Sequence, residues 1–128
     1  MEILNKEQTM NSSKPLLLAG KNIYLVYPIP EIGWDVVRQS YKPFVNNDIT
    51  VSYKSYYNRS KTVIDVFDEL LVYDNFIKID PSQLFCNIIT AGRCETSINN
   101  KLLYFDDDHV SNLGAKIILN QILNFKNK

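Results

Sequence analysis

The chain has 128 residues, of which 45% are hydrophobic and 22% are charged. This size and composition predict a single folded domain with a substantial core. Fourteen basic residues balance fourteen acidic ones, so the net charge at neutral pH is zero. A neutral chain without a basic cluster argues against nucleic acid as the main partner.

The N-terminal residues predict neither a membrane-spanning segment nor a signal peptide. No apolar run approaches the roughly 20 residues that a helix needs to cross a bilayer. The apolar run at 15–20 follows an acidic and polar start, whereas a secretory leader starts with basic residues. If Met1 is the true start of the protein, the sequence predicts a cytoplasmic location.

The first third of the chain predicts a helix followed by a strand. Weak helical periodicity over residues 2–18 ends at Gly20, a residue type that commonly closes helices. The β-branched and aromatic run at 22–27 predicts a buried strand of a parallel sheet. Pro28 ends this strand because proline cannot donate to a strand ladder. A short helix is expected over 31–37.

The middle of the chain predicts a second helix and a second strand. Residues 38–58 are irregular, and the tyrosine-rich part at 50–57 favours a strand or half-buried surface, with a ligand groove as the alternative. Residues 59–74 give the clearest helical pattern, and 75–80 predict a strand that Pro81 stops. The order strand, helix, strand predicts a right-handed parallel crossover. The apolar face of this helix is formed by Val63, Ile64, Val66, Phe67, Leu70 and Leu71, with Lys61, Asp65, Asp68 and Glu69 largely opposite.

The last third predicts a loop region over 81–103 and a final helix. Ser111 is a preferred N-cap residue, so the helix is expected to begin next to it. The apolar residues recur at helical spacing and predict one buried face. This face contains Val110, Leu113, Ile117, Ile118, Ile122 and Phe125.

The loop region contains both cysteines of the chain, Cys86 and Cys94. Their spacing permits a small disulfide-closed loop, and it is equally compatible with two reduced thiols. They lack the Cys-x-x-Cys spacing of redox and zinc sites, and the chain has only one histidine. No metal and no cofactor is therefore expected.

The segment 104–111 concentrates the chemistry of the sequence. It holds the only histidine, His109, three residues after Asp106. A carboxylate at this spacing can contact one imidazole nitrogen, as in a hydrolytic triad where histidine is the general base. Two other interpretations are open. The three aspartates at 106–108 could cap the final helix, or they could bind a cation, although the spacing and glycine of a calcium loop are absent.

The C-terminal part of the sequence resembles the end of an SGNH-type hydrolase domain. The resemblance rests on the run Leu-Tyr-Phe-Asp-Asp-Asp-His-Val-Ser-x-x-Gly-Ala over 103–115, with the two cysteines upstream. The closest likeness is the version fused to acyltransferase family 3 membrane proteins, which O-acylate bacterial surface sugars. The loop at 27–33 and the Ile-Asp-Pro segment at 79–81 are also similar, so the likeness covers the chain from about residue 20 onward.

This resemblance implies a fold and a set of site residues. The fold would be α/β, a partial flavodoxin-like three-layer sandwich with a parallel sheet and with the N-terminal strands missing. Residues 1–128 would then be a single domain that forms the C-terminal portion of an SGNH-type domain, with the active site at the carboxyl ends of the strands. Asp106 would be the triad acid and His109 the base, and Cys86 and Cys94 would match a pair that is typically a disulfide in extracytoplasmic members.

The family nucleophile, a serine in a Gly-Asp-Ser motif, has no match in the sequence. None of the four glycines, at 20, 33, 92 and 114, is followed by Asp-Ser. A histidine–aspartate pair without its nucleophile loses about 10⁴-fold or more of the rate acceleration of a triad. Ser97 or Ser111 could substitute only if its hydroxyl lay about 3 Å from the imidazole.

The resemblance therefore implies acyl-transfer chemistry on carbohydrate, as an O-acyltransferase or esterase, with this chain supplying the Asp-x-x-His half. The expected partners are an acylated carbohydrate or acyl donor and a preceding membrane acyltransferase domain. As part of such a full-length protein, the chain would lie on the periplasmic side of the inner membrane. The alternative is a non-catalytic remnant or a module that binds carbohydrate or a partner.

Overall fold

The computed structural model of the chain describes residues 6–31, 50–99, 101–104 and 109–127. Helices pack around a parallel pair of strands, and the other described strands form short antiparallel pairs. In chain order the described elements are α1 (Lys6–Leu18), β1 (Ile23–Val26), β2 (Thr50–Ser52), α2 (Tyr53–Asp68), a 3₁₀ helix (Glu69–Val72), β3 (Phe76–Ile79), α3 (Pro81–Phe85), β4 (Arg93–Glu95), β5 (Ser97–Ile98), β6 (Lys101–Leu102) and α4 (Asn112–Lys126).

The parallel sheet consists of β1 and β3, in register from Ile23 opposite Phe76 to Val26 opposite Ile79. One further backbone bond, from Tyr27 N to Ile79 O at 2.8 Å, extends the ladder beyond the strands. Helix α2 lies in the connection between the two strands, as the sequence predicts. The predicted α/β class with a parallel sheet is therefore confirmed.

The two faces of this sheet pack against different sets of residues. Side chains alternate along a strand, and accordingly Ile23 and Leu25 pack towards α1 and α2 whereas Tyr24 packs on the other side. The first set, the helical core, has the buried residues Met10, Leu17, Tyr27, Tyr56, Ile64, Phe67, Leu70 and Phe76. The second set, the disulfide core, has the buried residues Ile79, Phe85, Cys86, Cys94, Leu103, Tyr104 and Ile118.

Helix α1 ends as its sequence predicts. Gly20 adopts a φ of +84°, a left-handed conformation that residues with a side chain rarely adopt. This turn lets Lys21 N donate to Leu16 O at 3.0 Å. The side-chain amide of Asn75 donates to Leu17 O at 2.9 Å and thereby ties the end of α1 to the start of β3.

Helix α2 begins at Tyr53, which corrects the prediction of a strand or half-buried surface over 50–57. Only Thr50–Ser52 is a strand, and the tyrosines that follow lie on the helix. The Ser52 hydroxyl accepts from Ser55 N at 3.2 Å, so a serine N-cap starts the helix there. Tyr56 is buried in the helical core, because it lies at helical spacing from the apolar residues of α2 and therefore on the same face of the helix.

The end of α2 corrects one further assignment. The helix tightens into a 3₁₀ turn over Glu69–Val72. Leu70 remains buried, but Leu71 is 50% exposed and does not contribute to the core as predicted. The change from 3.6 to about 3 residues per turn rotates Leu71 away from the buried face.

The described residues of the region 81–103, which is predicted as loop, form one short helix and three short strands. The Asp80 carboxylate caps α3 by accepting from Ser82 N at 3.0 Å and from Ser82 Oγ at 2.7 Å. Strand β4 pairs antiparallel with β2, and β5 pairs with β6. Strands of two or three residues are too short for an alternating pattern to reveal them.

Helix α4 confirms the predicted start and apolar face. Ser111 is its N-cap, and the predicted face packs into the disulfide core through Ile118 and its partly buried neighbours. The predicted helix over 31–37 lies almost wholly outside the described residues. Within the described ranges, no helix has both the length and the apolar character that crossing a membrane requires.

Candidate functional site

The predicted acid and base differ in what the structure describes. His109 has an exposed side chain and lies directly before Val110. Asp106 lies outside the described residues, together with Asp107 and Asp108. The pairing of Asp106 with His109 therefore remains a prediction from the sequence, as do the capping and cation alternatives for these aspartates.

Contacts on both sides of this segment fix the backbone next to His109. An isolated antiparallel bridge joins Tyr104 to Val110. Next to it, Ser111 N donates to Leu103 O at 2.8 Å. Tyr104 and Leu103 are buried in the disulfide core. The backbone that carries His109 is thus anchored to the protein interior although the imidazole is exposed.

Gly114 allows the first turn of α4 to approach this bridge. A Cβ atom built on Gly114 would overlap the Leu103 carbonyl oxygen and would lie 3.0 Å from the Val110 Cβ. Only glycine fits without a shift of the backbone. The Ser-x-x-Gly part of the motif therefore has a structural reason, which is the close contact between α4 and the residues that flank the histidine.

Ser111 is used by the fold and does not qualify as a replacement nucleophile. Its Oγ donates to Leu102 O at 2.7 Å and accepts from Gly114 N at 3.2 Å. Both bonds belong to the helix cap and its anchor. Ser97, the other serine considered from the sequence, lies in β5 opposite Leu102.

A surface cavity of about 490 Å³ adjoins the residues that follow His109. Its lining combines apolar side chains with one hydroxyl and one amide. A cavity of this kind could hold part of a ligand next to the residues that follow His109. The described residues that line it are Leu102, Val110, Ser111, Asn112 and Leu113.

Polar groups also meet at the carboxyl ends of the parallel strands, where ligands of open α/β sheets bind. Tyr56 Oη donates to Pro28 O at 2.9 Å, directly after β1. Burial, followed by the charge of Asp80, raises the pKa of Tyr56 to about 12. The sequence prediction missed Tyr56 and Asp80 here. The spacing of Tyr56 from Ser60, Ile64 and Phe67 at helical intervals was the available signal.

A second polar group links α2 to the sheet. Asp68 Oδ1 accepts from Tyr27 Oη at 2.8 Å and from Lys78 Nζ at 3.0 Å. Lys78 Nζ also lies 4.6 Å from the centre of the Tyr27 ring. Burial and the hydrogen bond to Asp68 hold the pKa of Tyr27 well above its ordinary value. Asp68 is thus half-buried at the sheet, in contrast to the solvent-facing position predicted for it.

Cys86 and Cys94 form a disulfide, which decides between the two alternatives that their spacing left open. The two residues face each other in an antiparallel bridge, and both are buried. The bond connects the end of α3 to β4. Among the described residues, no group of three or more histidine, cysteine, aspartate or glutamate side chains is arranged to hold a metal ion.

These features define the class of the protein. Helices on both faces of a parallel strand pair, with polar groups at the carboxyl ends, describe an α/β domain of the doubly wound kind. Residues 5–124 match the family model described as "SGNH domain (fused to AT3 domains)". The chain therefore belongs to this family, a family of hydrolases and acyltransferases. No curated protein and no solved structure matches the chain.

Proposed function

We propose that the chain supplies the general-base half of an acyl-transfer site that acts on carbohydrate. His109 takes the proton from a serine hydroxyl while that oxygen attacks the acyl carbonyl, and Asp106 holds the imidazole tautomer and stabilises the imidazolium. The acyl-serine then transfers its acyl group to a sugar hydroxyl in an O-acyltransferase, or to water in an esterase.

The observation that carries this proposal is the family match over residues 5–124, which spans both Asp106 and His109. The anchored backbone next to His109 supports it, because a general base must be held in place to act on one proton. Two observations support access of a substrate to the base: the His109 side chain is exposed, and the residues that follow it line a cavity.

The serine of this site comes from outside the sequence of 128 residues. No glycine in the chain precedes Asp-Ser, and the Ser111 hydroxyl is committed to the helix cap. The nucleophile would belong to polypeptide that precedes these residues, or to a separate chain. A membrane acyltransferase domain before this one is the partner that the family description favours.

A location on the extracytoplasmic side of the inner membrane is part of the proposal. The buried Cys86–Cys94 disulfide supports it, because such bonds persist in oxidising compartments and are rare in the cytosol. Thiol labelling of the protein in intact cells tests this location, since cysteines react only when they are reduced.

The test combines the chain with a second polypeptide that carries the Gly-Asp-Ser part of an SGNH domain. Hydrolysis of a chromogenic acyl ester and acyl transfer to a sugar are measured. His109→Ala should lower turnover by about 10⁴-fold, and Asp106→Asn should lower it strongly through loss of the correct tautomer. Asn120→Ala, an exposed change on α4 that is not among the described residues lining the cavity, is the matched control. Full activity of His109→Ala would refute the assignment.

The missing Gly-Asp-Ser motif favours a second candidate, a non-catalytic module that binds carbohydrate or a partner. This candidate predicts that no reconstituted mixture hydrolyses esters and that a serine-directed fluorophosphonate labels no residue. Ester turnover that depends on His109 would exclude it.

A further inference from the structure

The disulfide closes a short loop whose end lies on the surface of the protein. Cys86 and Cys94 are buried in the disulfide core, whereas the six residues at 87–92, called the isoleucine loop below, are all exposed. Two of them, Ile88 and Ile89, have exposed fractions of 60% and 71%. Single exposed apolar side chains are ordinary on protein surfaces, but an adjacent aliphatic pair on an exposed loop forms a patch that marks an interaction site.

Several contacts hold the isoleucine loop in one shape. Asn87 adopts a φ of +58°, and its Oδ1 accepts from Gly92 N across the loop at 2.6 Å. Asn87 N donates to Arg93 O at 2.9 Å, next to the disulfide. Gly92 O accepts from Tyr53 N at 3.0 Å, which joins the loop to the first residue of α2. Because the base of the loop is bonded and crosslinked, little conformational entropy is lost when the isoleucines bind.

The isoleucine loop carries no charge. The sequence has no charged residue from Pro81 to Gly92. The next residue, Arg93, has its guanidinium bonded to the Thr50 hydroxyl and carbonyl at the base of the loop. A charged partner such as a nucleic acid or an acidic peptide therefore finds no counter-charge on the loop itself, and the patch suits an apolar partner.

The size of the patch distinguishes a protein partner from a lipid partner. A stable protein interface buries about 800 Å² on each side, and two isoleucine side chains supply only a small part of such an area. Insertion into the boundary layer of a bilayer has no such threshold, because its strength grows with each apolar group that leaves water. A loop inserts only shallowly, since its backbone N–H and C=O groups must remain within reach of water or headgroups.

We infer that the isoleucine loop inserts Ile88 and Ile89 into the boundary between the headgroups and the acyl chains of a phospholipid bilayer. The neighbouring exposed residues, Thr90 and Ala91, are small and uncharged, so that their burial among headgroups desolvates no charge. Two side chains give weak and reversible binding, which orients the protein on a membrane without anchoring it there. No bond is made or broken in this step.

The side of the membrane rests on the proposed function, but the contact with lipid does not. A preceding membrane domain would keep the chain close to the extracytoplasmic leaflet and so raise the effective concentration of lipid at the loop. The isoleucine loop would then set the orientation of the site, because the disulfide core behind it also anchors the backbone next to His109.

The experiment is an amide NMR titration of the full 128-residue chain with phosphatidylcholine bicelles. Saturable changes should centre on residues 87–92, and a spin label at the top of the acyl chains should broaden the Ile88 and Ile89 signals most. The double variant Ile88→Ser, Ile89→Ser should weaken partitioning by about tenfold, because the inserted apolar area is lost. Leu119→Ser, Leu123→Ser removes two other exposed aliphatic side chains, on α4, and should leave partitioning unchanged.

A conservative variant and a second lipid make the test independent of any loss of folding. Ile88→Phe, Ile89→Phe keeps an apolar tip and should bind at least as well as the parent chain. An equal mixture with phosphatidylglycerol should change little, because the loop is uncharged. Equal partitioning of the serine variant, weaker partitioning of the phenylalanine variant, or binding only to the anionic mixture would each overturn the inference.

A protein partner and the acyl chemistry give outcomes of their own. If the serine variant kept its bicelle binding but no longer bound a purified membrane acyltransferase domain, the patch would be a protein contact and the inference would be wrong. Bicelle binding without any reconstituted ester turnover would support the lipid contact and count against the proposed function. Turnover of a soluble ester without bicelle binding would do the reverse.

Discussion

The helical core and the disulfide core achieve the same burial by different means. Helices α1 and α2, of 13 and 16 residues, cover the first, and hydrogen bonds from Tyr27, Tyr56 and Asn75 join them to the sheet. The second lies among strands of two or three residues and a five-residue helix, together with α4. Its short elements are joined by a covalent bond between Cys86 and Cys94.

The comparison shows what each kind of core allows. Long regular helices fix their neighbours through many small contacts, so the helical core has no evident need for a crosslink. Short strands form few backbone hydrogen bonds, so the disulfide core depends more on its crosslink. The disulfide stabilises the fold by limiting the conformational freedom of the unfolded chain. The candidate site at the His109 segment lies on the disulfide side, where loops carry the functional groups.

The largest expected effect comes from a matched pair of truncations, Leu70→Ala in the helical core and Leu103→Ala in the disulfide core. Both leucines are 0% exposed. Each change should cost about 2–5 kcal/mol of unfolding free energy. We expect the larger value for Leu70, because the long helices of the core around it can close a cavity less readily than the short strands around Leu103. Urea unfolding of both variants tests this, and a larger loss for Leu103→Ala would contradict it.

The next effect comes from removal of the disulfide in a Cys86→Ser, Cys94→Ser double variant. The loop that it closes is short, so the expected loss is about 2–3 kcal/mol. Hydrogen exchange should rise first at residues 93–103, while α2 keeps its protection. Dithiothreitol should destabilise the parent chain and leave the double variant unchanged. Equal loss of protection in α2 would show that the two cores unfold as one unit.

The smallest effects come from three Tyr→Phe changes, which compare hydroxyls with and without partners. Tyr27 and Tyr56 donate hydrogen bonds at 2.8 and 2.9 Å, so each change should cost about 0.5–1.5 kcal/mol, and somewhat more for Tyr27 because its acceptor is charged. The buried Tyr104 hydroxyl has no partner among the described residues, so Tyr104→Phe should be neutral or stabilising. Thermal unfolding of the three variants tests this order.

The same tyrosines predict loss of stability in alkali. Burial raises the pKa of Tyr27, Tyr56 and Tyr104 above the ordinary value. A raised pKa in the folded state gives stability that is complete below the ordinary phenol pKa of about 10 and is lost as the pH rises above it. Tyr56, with a pKa of about 12, contributes to this loss between these two values, so Tyr56→Phe should flatten the alkaline decline.

The sequence predicts best the elements that have a clear hydrophobic pattern or a strong capping or terminating residue at their ends. Strands β1 and β3, the body of α2, and α4 with its Ser111 cap follow this rule, and so does the turn at Gly20. The start of α2 at Tyr53 was missed because tyrosines occur readily in strands and the capping serine lay inside the same run. Strands β4 to β6 are too short to show a period.

The residues of the candidate site also divide into those that the sequence indicates and those that it does not. The motif around His109 was recognisable in the sequence, and the family match over 5–124 confirms the family that it suggested. The roles of Asp106 and His109 remain predictions for experiment. The half-buried position of Asp68 was missed because its partners, Tyr27 and Lys78, lie outside the helix that carries it.

The two cores are also consecutive along the chain, with buried residues at 10–76 in the helical core and at 79–118 in the disulfide core. A ribosome therefore releases every buried residue of the helical core before those of the disulfide core. The first core can assemble while the second is still being synthesised, and the second becomes complete only after an oxidant has joined Cys86 to Cys94. The backbone that carries His109 is anchored to the disulfide core, so this segment would reach its final packing only after oxidation.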